Sequence, residues 1–122
     1  MGRFLVQIHT GPDDPNKVTL GALIAAEAAR AGHGVTLFFL GDGVDCLVPG
    51  RAAGIEGRGT GVLADHLAAL GAAGGCVRVS QLSAGARGLG DEILAALPLR
   101  ADFARPPDLV ALADAADTCL SY

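Results

Sequence analysis

Nucleophilic sulfur is the first chemistry this sequence offers. It contains three cysteines, Cys46, Cys76 and Cys119. A free thiol with a pKa of about 8.5 is mostly protonated at neutral pH, and a reactive one needs exposure and nearby positive charge. Cys76 opens a short β-rich run and Cys119 lies in a terminal one, so both read as small buried hydrophobes. Cys46 follows a sharp Gly41-Asp42-Gly43 turn. It is the one cysteine placed for chemistry and the candidate catalytic residue. No His/Cys pair has zinc-ligand spacing, and neither a metal nor a cofactor is expected.

Acid–base and anion-binding candidates lie elsewhere. His9 ends an apolar run, whereas His33 stands in a turn between two glycines. His66 follows Asp65 in a helical stretch, where sequence neighbours do not face each other. Asp13 and Asp14 follow the first apolar run, but a metal-binding acidic site there would also need an aspartate ending the third strand. That position is Ser80. The two aspartates would repel a phosphate, and no P-loop or GxGxxG is present. Ser80 and Arg87 belong to the stretch GGCVRVSQLSAGARG, Gly74–Gly88. Ser80 ends a short strand before a small-residue turn, and Arg87, with only small neighbours, could hold an anion. In a parallel sheet, His9, Asp42, Ser80 and Arg87 would share the crevice beyond the carboxyl ends of the strands. These four are the candidate binding residues.

The elements that would position them alternate in type. Phe4–Ile8 reads as a strand. Asp14 before Pro15 is an N-cap followed by proline at the first helical position, and the helix runs to about Ala31, before Gly32. VTLFFL, Val35–Leu40, is almost continuously apolar, so both faces of that strand are covered, as in parallel sheets. Val44–Gly61, with four glycines among residues 50–59 and Pro49, reads as a helical turn followed by a mobile loop. Helix Val62–Leu70, strand Cys76–Gln81, a helical turn at Ser83–Gly88 and helix Asp91–Leu97 follow. Strand Leu99–Phe103, a helix over Leu109–Ala115 opened by Pro106-Pro107-Asp108, and strand Asp117–Tyr122 complete the chain. This order predicts a single α/β domain: a doubly wound, mainly parallel five-stranded sheet with helices on both faces.

Composition agrees. At 122 residues the chain fills one domain with a real core. Hydrophobic residues make up 51%, with no Trp and one Tyr, which favours two-sided burial, oligomerisation or both. The net charge is −4 and the nine Lys and Arg residues are scattered, so no nucleic-acid footprint is expected. An odd cysteine count without motif spacing fits a reducing cytoplasm. The apolar run at the N-terminus is too short for a signal peptide, and no stretch of eighteen apolar residues predicts a membrane span.

Three segments together resemble a known family. They are TGPDDPNK opening an Ala-rich helix, AGHGVTLFFLGDGV, and VSQLSAGARGL. The chain is similar, from Phe4 to Tyr122, to the DsrE/DsrF-like family of YchN- and TusD-type sulfur-relay proteins. The resemblance implies a small cytoplasmic α/β protein that forms a homotrimer or homohexamer and takes part in passing persulfide sulfur between sulfur-carrier proteins. In the family's active relay subunits a cysteine ends the third strand, seven residues before the arginine of the ARG-like turn. Seven residues before Arg87 is Ser80, and a serine cannot hold a persulfide. The resemblance therefore implies a binding or assembly subunit. Two alternatives stand beside it: a sulfurtransferase carrying persulfide on Cys46, and a small-ligand-binding protein using the crevice.

Overall fold

The first strand, β1 (Arg3–Ile8), leads into helix α1 (Pro15–Arg30), and strand β2 (Gly34–Phe39) returns beside β1. A computed structural model describes all 122 residues. Asp14 caps α1 by accepting the Lys17 amide, and Gly32, at φ +94°, turns the chain toward β2. After β2 come a 3-10 helix at Gly41–Leu47, a second at Ala52–Gly54, and a small antiparallel hairpin of β3 (Glu56–Gly57) and β4 (Gly61–Val62). Helix α2 (Leu63–Ala72) then leads to β5 (Cys76–Ser80). The short helices α3 (Gln81–Ala86) and α4 (Asp91–Ala95), strand β6 (Ala101–Ala104), helix α5 (Pro106–Ala115) and strand β7 (Thr118–Ser121) follow.

Five strands form one sheet in the order β6-β5-β2-β1-β7, every neighbouring pair parallel. The expected doubly wound α/β sheet is what the chain forms. Its winding follows from the handedness of crossovers. The steps from β1 to β2, β5 and β6 all move the same way across the sheet, so right-handed connections put α1 to α4 on one face. The step from β6 to β7 runs back across the whole sheet, which puts α5 on the other face.

The two faces are unequal. Val6, Ile8, Leu37, Phe39, Val77 and Val79 pack under the first four helices in a cluster of 22 buried residues. On the α5 side only Leu5, Phe38 and Ala104 are buried, with Leu109 and Leu112 packed on them. Alternation along each strand produces both sets, and VTLFFL is apolar throughout because β2 feeds both.

Several boundaries differ from the sequence reading. Leu40 lies outside β2, and Gln81 opens α3 instead of ending β5. The expected helix over Asp91–Leu97 stops at Ala95, and the fourth strand of the main sheet is Ala101–Ala104, two residues later than its pattern suggested. The segment after residue 44, expected as a helical turn followed by a loop, continues the 3-10 helix that begins at Gly41 and then forms a second 3-10 helix and the hairpin in place of the loop. The hairpin is held by a side-chain contact: the hydroxyls of Thr19 and Thr60 meet at 2.6 Å, and a Cβ on Gly57 would overlap both.

Candidate functional site

Strands β5 and β6 are adjacent, yet the chain leaves them toward opposite faces, into α3 and α5. That divergence opens a crevice beyond their carboxyl ends, where α/β sheets bind ligands. Ser80 and Ala104, register partners at the ends of these strands, stand on its two sides. The result is a groove of about 210 Å³. Its apolar lining is Phe38, Leu40, Ala104, Pro106 and Leu109, with Leu82, 57% exposed, at the rim. Its polar lining is Ser80, Ser83 and Arg105.

Local hydrogen bonds fix these groups. Ser80 caps α3, its Oγ accepting the Ser83 amide at 3.1 Å. Ser83 in turn accepts the Gly41 amide on its own Oγ at 2.8 Å, joining the turn after β2 to the helix after β5. Arg105 caps α5: its amide donates to the Asp108 carboxylate at 2.8 Å, and its guanidinium donates to Gln81 at 2.9 Å. No histidine or carboxylate hydrogen-bonds Ser80. Its hydroxyl can accept and donate hydrogen bonds, but it has no base to activate it as a nucleophile.

A model of the DsrE/DsrF-like family matches residues 2–122. The chain belongs to the DsrE/DsrF-like family. Among solved structures it is similar to the ychN protein from E. coli, with 18% identity, 100% of both chains covered and a TM-score of 0.76. That likeness is one of fold. No curated protein matches the sequence.

In this DsrE/DsrF-like fold the expected binding residues do not form one site. Ser80 lines the groove. Arg87 and Asp42 lie outside it and satisfy each other at 2.7 Å, with Asp45 3.5 Å from the Arg87 Nε and the Ser83 carbonyl accepting from its Nη1. The pair clamps the 3-10 helix after β2 onto α3. His9 is exposed and makes no side-chain hydrogen bond. Its backbone lies beside Gly43, where a Cβ would overlap the Ile8 carbonyl, so the chain crosses here only because residue 43 is glycine.

Cys46 is the main correction. Its expected role needs an exposed, partly ionised thiol, yet it is 0% exposed, packed in the large core cluster. Its Sγ faces the Thr10 carbonyl at 3.8 Å. Burial, reinforced by the Asp45 charge, pushes its pKa up to about 12. The 3-10 helix turns Val44, Cys46 and Leu47 inward together, a pattern that the glycine-rich sequence did not disclose. Cys76, expected to be buried, is half-buried with its Sγ near Thr36 and the Val35 carbonyl, and Cys119 is exposed instead of buried.

Sequence reasoning missed Ser83 and Arg105. Ser83 was read only as the start of a helical turn. Arg105 was passed over because β6 was placed too early, although Arg105-Pro106-Pro107-Asp108 carried the capping signal of a helix start. No three His, Cys, Asp or Glu side chains come close enough together to hold a metal ion.

Proposed function

We propose that this DsrE/DsrF-like chain is a binding or assembly subunit of sulfur-relay type, a cytoplasmic homotrimer or homohexamer that engages sulfur-carrier proteins. One observation carries the reading. Ser80 ends β5, caps α3 and lines a formed groove, which supports reading it in place of the persulfide-bearing cysteine that the family resemblance puts at that strand end. A hydroxyl that caps α3 preserves the shape of the site while removing the nucleophile. Three unpaired cysteines support a reducing compartment, and no helix is long and apolar enough to cross a membrane. The test is mass spectrometry of digested peptides after exposure to a persulfide donor. The wild-type peptides carrying Ser80 and Cys46 should gain no sulfur, while Ser80→Cys should gain one sulfur on its own peptide. Site-specific uptake by wild-type Cys46 would overturn the reading.

The groove also supports a second reading, a site for a small ligand. Two hydroxyls and a guanidinium over an apolar floor suit a compact molecule with one polar end. Ligand-induced shifts in melting temperature that vanish in a groove-filling Ala104→Leu variant would support it. Shifts that persist there would count against it.

A further inference from the structure

The polar side chains of the groove beyond β5 and β6 are hydrogen-bond donors in search of an acceptor, and no carboxylate lines it. The Ser80 and Ser83 oxygens each accept one amide, from Ser83 and Gly41, and neither hydroxyl proton has an acceptor within the chain. The Arg105 guanidinium gives Nη1 to Gln81, while its Nε and Nη2 have no partner. It forms no ion pair. Each serine can donate one bond and the guanidinium several more.

The charge around the groove favours an anion. Val77 and Val79 face the large core, so alternation puts Arg78 on the same face of β5 as Ser80. Arg78 is the register partner of Phe38, part of the groove lining. Its Nη2 donates to the Phe103 carbonyl at 3.1 Å, and its Nε is buried with no hydrogen-bond partner. Its closest carboxylate oxygen, on Asp108, is 3.9 Å away, and that carboxylate already accepts the Arg105 amide. Asp42 and Asp45 are drawn to Arg87 outside the groove, and Asp102 lies 3.6 Å from Arg100. Two guanidiniums therefore stand against one carboxylate, in a chain whose net charge is −4.

We propose that the groove binds a small monocarboxylic acid with a short apolar tail. The carboxylate accepts from the Ser80 and Ser83 hydroxyls and from Arg105, and the tail lies on Phe38, Leu40 and Leu109. This rests on the reading of the groove as a small-ligand site and names the class of ligand. A phosphate monoester suits the groove less well, because it carries a charge of about −1.5 to −2 at pH 7. It also needs backbone amides, yet Pro106 and Pro107 at the start of α5 have none, and the Asp108 amide turns back to the Arg105 carbonyl at 2.9 Å. The volume of about 210 Å³ is below the ~300–1,000 Å³ of drug-sized sites, which keeps the tail short.

Two-dimensional amide NMR of the full chain, titrated with hexanoate or with its neutral analogue hexanamide, tests this. Hexanoate should move the resonances of Ser80, Ser83 and Arg105 saturably. Hexanamide should bind at least ~10-fold more weakly, since it forfeits the charge-assisted bonds. Arg105→Gln should raise the hexanoate dissociation constant at least ~10-fold and leave that of hexanamide within ~2-fold. If circular dichroism shows that Arg105→Gln does not fold, the two probes on wild type decide. Equal affinities for the two probes, or hexanoate binding unmoved by Arg105→Gln, overturn the carboxylate while the small-ligand reading stands. If neither probe moves these resonances at ~10 mM, the small-ligand reading falls and the carboxylate with it.

Discussion

Ser83 holds the Gly41 amide on its hydroxyl at 2.8 Å, so the turn after β2 hangs on the helix that follows β5. The two segments are 42 residues apart in sequence, and the groove depends on their meeting. Ser83→Ala leaves the Gly41 amide without its acceptor, at a cost of about 1–3 kcal/mol. Urea unfolding should show a lower midpoint with an unchanged slope. An unchanged midpoint would mean that water replaces the hydroxyl.

Ser80→Cys should fold normally and place a thiol where the Ser83 amide points. A hydrogen bond from that amide favours the thiolate. The pH dependence of iodoacetamide alkylation should give a pKa below the free-cysteine value of about 8.5, with faster labelling than at Cys76. A pKa at or above that value would show that the amide does not reach the sulfur.

Cys46 should resist the same reagent in the native protein and react only on unfolding. Its pKa rises from 9.0 to about 12 on folding, so between these values the unfolded chain has lost the proton that the folded chain keeps. The associated stability is fully present below pH 9 and is lost as pH rises toward 12. Denaturant midpoints should fall over that range in wild type, and less steeply in Cys46→Ala. Parallel curves for the two proteins would contradict the burial argument.

Gly43→Ala should be among the most damaging single changes in the turn. Its methyl group would overlap the Ile8 carbonyl, which is backbone and cannot rotate away. Overpacking of this kind costs about 1–3 kcal/mol or more. Gly54→Ala, with nothing near its Cβ, is the control. Equal melting temperatures for the two variants would refute the close crossing.

Much of this molecule could be read from its residues. VTLFFL announced a strand covered on both sides, and Asp14-Pro15 and Gly32 announced the ends of α1. Ser80 was legible at the carboxyl end of a strand because a small-residue turn follows, although the pattern carried the strand one residue further, to Gln81. Other features depend on which way a short element turns. In the 3-10 helix from Gly41 to Leu47 a change of one residue in phase decides whether Cys46 or Asp45 faces the core, and no periodicity develops over so short a span. Arg87 looked free because its partners, Asp42 and Asp45, lie more than forty residues away. Arg105 joins the groove only because α5 crosses to the opposite face, a consequence of strand order that local sequence does not carry.

The uneven cover of the sheet has a consequence for motion. A helix with no buried residue, resting on three buried side chains, is the segment that opens most cheaply, and its amides should exchange with solvent before those of α1 or α2. Residues Arg105, Pro106 and Leu109 leave with it, so the groove beside Ser80 exists only while α5 is docked. Whatever binds there binds the docked state and lowers its rate of opening by mass action. Occupancy of the groove and the order of α5 are one equilibrium, and amide exchange in a single helix reports on both.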